Sequence, residues 1–194
     1  MQSDVIIEKL QKGGDFMEEC KRIRRELMYH GVVVDFYKDT MRMPNGHEVD
    51  WDLISHKGAA AVVAVRDDGR LFMVRQYRNP LERMTLELPA GGLNFREEPP
   101  EVCARRELEE ETGHLAGKME HLIDIFTTVA FCDEKISIYV ASDLKPTKQH
   151  LDEDEFLDVC AYPVEELIQM IYDGKIQDSK TVCGLMTYYQ KYCK

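Results

Sequence analysis

Apolar residues recur at helical spacing near the start of the chain and then alternate with polar residues. Ile23 and Leu27 lie on one side of a charged segment, which predicts a short helix over Asp15–His30. From Val32 onward the period changes to two, which is typical of β-strands with one buried face. The Pro-Asn-Gly turn at residues 44–46 joins two such segments and predicts an N-terminal antiparallel hairpin.

The rest of the pattern predicts a succession of short strands with three further helices. Prolines suited to a first helical turn and glycines suited to the position after the last turn set the helix bounds. The strands are predicted at Val32–Met41, His47–Ser55, Gly58–Val65, Leu71–Tyr77, Thr85–Leu88, His121–Thr128, Lys135–Ala141 and Phe156–Ala161. The later helices are predicted at Pro100–Thr112, Pro163–Asp173 and Ser179–Tyr192.

Composition narrows the class of protein. The 194 residues are 44% hydrophobic and 31% charged, with a net charge of −11, which fits one globular domain and makes nucleic acid an unexpected partner. No apolar run approaches the roughly 20 residues of a membrane span, and no signal peptide is expected. The six cysteines lack zinc spacing, so we expect reduced thiols in a cytoplasmic protein.

Three glutamates crowd one face of the predicted helix Pro100–Thr112. At 3.6 residues per turn, Glu107, Glu110 and Glu111 fall within about 100° of one another, whereas Glu109 points nearly the opposite way. Carboxylates this close repel unless positive charge is supplied. Taken alone, the cluster is either a solvated acidic face or a site for a hard divalent cation.

The spacing around this helix carries a family resemblance. The pattern G-x5-E-x7-R-E-U-x-E-E-x-G-U, where U is a bulky aliphatic residue, is matched by Gly92, Glu98, Arg106, Glu107, Leu108, Glu110, Glu111 and Gly113. His114 alone departs from it, at a position that normally packs beneath the loop. The stretch therefore resembles the Nudix box.

The resemblance implies an α+β fold in which a mixed β-sheet is sandwiched between helices, with an N-terminal antiparallel hairpin. We expect residues 1–30 to be a helical extension, residues 31–56 to be a strand hairpin used in dimerisation, and residues 57–194 to be the Nudix hydrolase domain. No second-domain linker is apparent in the sequence.

Within the Nudix superfamily the chain is most similar to the ADP-ribose pyrophosphatase group. The shared features are the hairpin ending at Trp51, the RQYR segment, the LELPAGG segment and an acidic DEDE loop. The group implies a homodimer in which Trp51 stacks on the partner's adenine. From its strand alone, Trp51 is more often a core or interface residue than a platform for a ligand. Arg78, with Arg75 second, is implied as a diphosphate contact, the alternative being salt bridges with nearby glutamates.

The group's chemistry is attack of water on a diphosphate phosphorus, aided by Mg²⁺ or Mn²⁺. Carried over, Glu107 and Glu111 are the main metal ligands, assisted by the Ala90 carbonyl and Glu110. Arg106 is expected to hold the loop through Glu98. The catalytic base is expected in the acidic loop, at Glu153 first and Glu155 second; the alternative is that this loop is only solvated.

One departure bears on the substrate. The group usually carries a Pro-Gly pair about sixteen residues after the box, where this chain has Val129 and Ala130. We expect hydrolysis of ADP-ribose to AMP and ribose 5-phosphate, with another nucleoside diphosphate sugar, such as ADP-glucose or GDP-mannose, as the alternative. A noncatalytic nucleotide sensor is a third reading, disfavoured because Glu107, Glu110 and Glu111 are all present.

Overall fold

A computed structural model describes residues 20–151 and 156–194 of the chain. The polypeptide divides into two compact units. One contains the described residues up to His56 together with Thr128–Asp133, and the other contains Lys57–Thr127 and Glu134–Lys194. The Nudix-box residues all lie in the second unit.

The first unit is built on a three-stranded antiparallel sheet of order β1-β2-β3. Its strands are β1 (Lys21–His30), β2 (Asp35–Arg42) and β3 (Glu48–Ser55). The segment Thr128–Asp133 joins this unit through Ile54, whose N–H donates to the Phe131 carbonyl at 2.7 Å. Val129 is 83% exposed.

The predicted helix over Asp15–His30 is wrong for Lys21–His30, which form β1; residues 15–19 lie outside the described part. Long-range pairing overrides the helical spacing of the apolar residues. Arg25 stands directly opposite Asp39 on β2, and its guanidinium donates two hydrogen bonds of 2.6 Å to that carboxylate. Asp39 is only 8% exposed, and the bond from Arg25 outweighs desolvation and holds its pKa below the ordinary value.

The second unit is organised by a seven-stranded mixed sheet. Its main order is β10-β5-β4-β9-β8, with β6 paired to β5 and β7 paired to β4; β4 and β9 are parallel and the other pairs antiparallel. The strands are β4 (Ala59–Val65), β5 (Leu71–Arg78), β6 (Arg83–Glu87), β7 (Ala90–Gly92), β8 (His114–Phe126), β9 (Lys135–Pro146) and β10 (Leu157–Tyr162).

Helices cover both faces of this sheet. They are α1 (Pro100–Thr112), α2 (Val164–Tyr172) and α3 (Ser179–Tyr192). Alternate residues of β4 point to opposite faces: Val62 packs in a core cluster with Leu108 of α1, and Val63 packs in a second cluster with residues of α2 and α3. The α+β sandwich expected from the sequence is confirmed.

The helix that carries the Nudix box ends where the sequence predicted. Gly113 has φ +67°, in the left-handed region, and its N–H donates to the Glu109 carbonyl at 2.8 Å. No helix in the described ranges combines the length and apolar character of a membrane span.

Candidate active site

The acidic face of α1 turns into the protein. Glu107 is 6% exposed and Glu111 is 2% exposed, whereas Glu110 is partly exposed. Glu109 lies elsewhere on the helix, where the Thr147 hydroxyl donates to its carboxylate at 3.4 Å. The face is therefore an inward-facing carboxylate pair with a third acid at its edge, which excludes the reading of a wholly solvated acidic surface.

The short strand β7 forms the wall opposite these carboxylates. The Ala90 N–H donates to Oε2 of Glu111 at 2.9 Å. A Cβ placed on Gly91 would lie 2.2 Å from the carboxyl carbon of Glu107, so only a glycine admits this approach. The main chain at Ala90 and Gly91 is thereby set directly against both buried acids.

Arg106 ties the loop and the helix together. Its guanidinium donates to Glu107 at 2.5 Å, to Glu110 at 3.1 Å and to the Gly92 carbonyl at 3.1 Å. Its separation from the carboxylate of Glu98 is 3.8 Å. The shorter contacts of Arg106 therefore run to the acidic face and not to Glu98, and there it supplies the positive charge that the crowded carboxylates need.

Glu98 holds the loop more directly through the main chain. It is 6% exposed and accepts the Asn94 N–H at 2.6 Å. This bond closes the loop between Gly92 and the start of α1, so a carboxylate at this box position has a local structural explanation.

A buried thiol lies one turn before Glu107. Cys103 donates to the carbonyls of Gly91 and Gly92 at 3.5 and 3.4 Å. Burial, and next the negative charge of Glu107, raise the pKa of this thiol to about 12. All six cysteines lie in the described part and are free there.

Arg78 is anchored by a carboxylate that the sequence reasoning did not single out. Its Nε and Nη2 donate to the two oxygens of Glu87 at 2.8 and 2.7 Å, and Glu87 is only 2% exposed. Burial alone would raise the pKa of Glu87, but hydrogen bonds from Arg78 and Lys180 and the Lys180 charge lower it to about 2. Arg75, the second predicted phosphate contact, is exposed on β5.

The first turn of α3 completes this polar cluster. Lys180 is 8% exposed and donates to Glu87 at 2.5 Å and to Asp178 at 2.9 Å. The Thr181 hydroxyl donates to Asp178 at 2.6 Å and accepts the Leu88 N–H at 3.0 Å. The only trace of this cluster in the sequence is the glutamate before Leu88 in the LELPAGG segment. Its partner Lys180 could not be predicted, because it is 93 residues away along the chain.

The cluster lines a cavity of about 400 Å³ between β6 and α3. Arg83 and Gln177 lie at its rim, joined by a hydrogen bond of 2.6 Å. Arg78 also lines this cavity. The hydrogen bond to Glu87, acting against desolvation, raises the Arg78 pKa, and the charges of Glu87, Asp178 and Glu111 add to it in that order.

The remaining predicted residues divide into two groups. Trp51 is 50% exposed on β3 in the first unit. Glu153 and Glu155, the predicted base and its alternative, lie outside the described residues. The structure thus assembles the acidic-face residues, the glycines and Arg78 in one unit, and it leaves the contribution of Trp51 and the acidic loop as predictions.

The buried carboxylates of α1 have some of the features of a metal site. Across residues 20–151 and 156–194, no three His, Cys, Asp or Glu side chains stand ready as a metal-binding group. Glu107 and Glu111 nevertheless offer buried carboxylate oxygens beside a glycine-lined wall, and such oxygens are the ligands that hard divalent cations prefer. The pair fits a divalent cation if other ligands come from main-chain or further oxygen atoms.

Comparison with known proteins identifies the family to which this chain belongs. The sequence matches the NUDIX domain over residues 55–184, which is more than half of the chain. The chain belongs to the Nudix family.

Individual relatives are similar over most of their length. The chain is 40% identical to the ADP-ribose pyrophosphatase of Bacillus subtilis (strain 168), covering 86% of this chain and 91% of that protein. It is 43% identical to the methanol dehydrogenase activator of Bacillus methanolicus, covering 89% of this chain and 93% of that protein. A crystal structure of an ADP compounds hydrolase superposes with a TM-score of 0.78 at 21% identity, covering 89% of this chain and 93% of that one, which supports the fold.

Proposed function

We propose that this chain is a divalent-metal-dependent pyrophosphohydrolase that cleaves ADP-ribose to AMP and ribose 5-phosphate. The observation that carries the proposal is the buried pair Glu107 and Glu111 set against the main chain at Ala90 and Gly91. Relatives named ADP-ribose pyrophosphatase support it, because they match this chain over most of their own length.

Nudix ADP-ribose pyrophosphatases depend on a divalent metal ion, and we propose Mg²⁺, with Mn²⁺ as a substitute. Glu107 and Glu111 would hold it, with the Ala90 carbonyl and Glu110 assisting. When bound, such an ion neutralises nonbridging phosphate oxygens and makes water more acidic.

The chain's own residues orient the reacting groups. Arg106 contacts Glu107 and Glu110 and keeps their carboxylates on the side that faces β7. Arg78 uses Nε and Nη2 on Glu87, which leaves its Nη1 edge available for a phosphate oxygen. Arg78 would therefore act as an anchored cation rather than a flexible one, and Arg75 as a more exposed second contact.

The proton of the attacking water needs an acceptor. We assign this role to Glu153, with Glu155 as the alternative, on the strength of the family resemblance. Replacing each by Gln and comparing the pH dependence of kcat will separate them: the true base should lose the acidic limb of the profile, and the other should retain it.

The proposal is tested by incubating the protein with ADP-ribose, ADP-glucose and GDP-mannose, with Mg²⁺ and with excess EDTA. We expect ADP-ribose to have the highest kcat/KM, AMP and ribose 5-phosphate as products, and no turnover with EDTA. If GDP-mannose has the highest kcat/KM, the substrate is misassigned; binding of ADP-ribose without turnover of any diphosphate would favour a nucleotide sensor.

A second role is suggested by the relative that activates methanol dehydrogenase, which matches this chain at 43% identity. The name of that relative suggests that this chain could also stimulate a dehydrogenase. Adding this protein, or its Glu111→Gln variant, to a methanol dehydrogenase assay tests it. Stimulation by the wild-type protein alone would support the role, and no stimulation by either would exclude it.

We further propose a cytoplasmic homodimer formed through the N-terminal strands. Strand β1 lies at an edge of its sheet and exposes Leu27, Met28 and Tyr29, whose relative exposures are 54%, 52% and 67%. Such an edge is a ready surface for a second chain. Light scattering should give twice the monomer mass, and Trp51→Ala should raise the KM for ADP-ribose if this side chain stacks on the partner's adenine.

A further inference from the structure

We infer that the first turn of α3 positions the catalytic segment Pro89–Gly91, with Lys180 and Thr181 as its positioning residues. Both act through strand residues, Glu87 and Leu88, rather than on the substrate. The inference rests on the proposed function, because it gives these side chains a part in the reaction at α1.

Lys180 fixes the side chain of the last residue of β6. Its ammonium group lies 2.5 Å from the Glu87 carboxylate, and both side chains are almost fully buried. A buried charge is costly unless it stays paired, so Glu87 is confined to the place where Lys180 and Arg78 meet it. Glu87 is three residues before Ala90, so its position sets the entry to the catalytic segment.

Thr181 fixes the main chain of the next residue. Its fully buried hydroxyl accepts the Leu88 N–H at 3.0 Å, and Asp178 orients that hydroxyl. The following carbonyl, that of Pro89, accepts the Val62 N–H at 2.9 Å. The side chain of Glu87 and the main chain of Leu88 are thus both held from α3 just before the segment turns toward α1.

The contacts continue to the metal-binding pair. The Ala90 N–H donates to Glu111, and Gly91 admits the carboxylate of Glu107. A shift of Leu88 would therefore move the atoms that the two carboxylates rest against. Apolar residues would attach α3 to the sheet at a lower desolvation cost than these buried charges. Ion pairs and hydrogen bonds, however, also fix the orientation of the groups that they join, which a positioning role requires.

The test uses Lys180→Met, which removes the charge but retains the length, and Lys180→Arg, which restores the charge. We expect Lys180→Met to lower kcat about tenfold or more, because misplacement of catalytic groups acts on the chemical step, with a smaller rise in KM because Glu87 also anchors Arg78. Lys180→Arg should recover most of the loss. Lys191→Met is the matched control: Lys191 is on the same helix in an exposed pair with Glu120 at 2.7 Å, and it should be silent.

Thr181→Val tests the main-chain contact in the same way. It preserves shape but leaves the Leu88 N–H without its hydroxyl acceptor. We expect a fall in kcat similar to that of Lys180→Met, and Thr181→Ser should restore it.

Mn²⁺ binding, measured by calorimetry, provides a readout independent of turnover. We expect Lys180→Met to weaken Mn²⁺ binding by about threefold or more, which is less than the tenfold or larger effects of residues bonded directly to metal ligands, because Lys180 acts on them through Glu87. Leu167→Ala, which truncates a fully buried residue of α2, controls for general destabilisation.

Three outcomes decide the inference, with all proteins assayed well below their unfolding temperatures. Loss of kcat and of Mn²⁺ affinity in Lys180→Met but not in Leu167→Ala supports it. Equal losses in the two variants, or full activity and full Mn²⁺ affinity in Lys180→Met, overturn it. If the wild-type protein hydrolyses no diphosphate, the proposed function fails, while the Mn²⁺ titrations still decide whether Lys180 positions the carboxylates.

Discussion

The sharpest prediction concerns Gly91, whose missing side chain makes room for Glu107. In Gly91→Ala the new methyl group would begin 2.2 Å from the Glu107 carboxyl carbon and 2.3 Å from both of its oxygens. Ordinary contact begins near 3.4 Å, so the carboxylate must retreat by at least about 1 Å. Gly91 is not among the glycines with positive φ, so alanine introduces no backbone strain there.

The displaced group is the far end of a flexible side chain, so the cost to folding should be small. The cost to catalysis should be large, because a misplacement of about 1 Å in a catalytic group is worth about 100-fold in rate. We therefore expect kcat/KM for ADP-ribose to fall about 100-fold, equivalent to about 2.7 kcal/mol of transition-state stabilisation, while the melting temperature changes by only a few degrees.

Gly92→Ala is the matched control. An added Cβ there meets only the Gly58 carbonyl oxygen, at 4.0 Å, so the adjacent substitution should leave activity within about twofold of wild type. Steady-state hydrolysis of ADP-ribose and thermal unfolding of all three proteins measure the effect. The reasoning is wrong if Gly91→Ala and Gly92→Ala have the same kcat/KM, or if Gly91→Ala loses activity only by unfolding.

Three further predictions use the same protein. Glu111→Gln should lower kcat by orders of magnitude with the fold intact, whereas Glu109→Gln should be nearly silent; equal kinetics would refute the assignment of the acidic face. Because the pKa of Glu87 is lowered from 4.5 to about 2, its ionisation contributes folding stability that is complete above about pH 5 and is lost as the pH falls from about 4.5 toward 2. Urea unfolding should therefore show that acid lowers the free energy of unfolding of the wild-type protein by about 3 kcal/mol more than that of Glu87→Gln. Parallel pH profiles for the two proteins would contradict this. Gly184→Ala places a methyl group 2.7 Å from the Leu88 side chain and should lower the free energy of unfolding in urea by about 1–3 kcal/mol. An unchanged midpoint of urea unfolding would refute this expectation.

Local signals in the sequence were enough to predict the catalytic helix. The prolines before Glu101 and the glycine at position 113 act on their own neighbours, so α1 has the predicted bounds Pro100–Thr112. Helical geometry alone places Glu107 and Glu111 on the same face of α1. Their burial does not follow, because it depends on β7 and on the core beneath the helix.

Interactions between distant residues account for what the sequence could not supply. Lys21–His30 has helical spacing, yet cross-strand contacts such as Arg25 with Asp39 make it a strand. The partner of Arg78 was not identifiable as Glu87 even from strand pairing, because the register sets Arg83 opposite Arg78 and Val74 opposite Glu87, and the contact depends on the path of the side chains in three dimensions. The role of Lys180 required α3 to be placed against β6, which no local pattern specifies.

The protonated Cys103 has a consequence for which metal ions the site accepts. Sulfur this close to Glu107 would attract soft, thiol-loving ions if it were a thiolate. Burial raises the pKa of Cys103 to about 12, so the group is a neutral thiol at pH 7, and it is directed at the Gly91 and Gly92 carbonyls. Because this sulfur is engaged with two main-chain carbonyls, the groups left to face an entering ion are the carboxylate oxygens of Glu107 and Glu111, and such oxygens favour hard cations over soft ones.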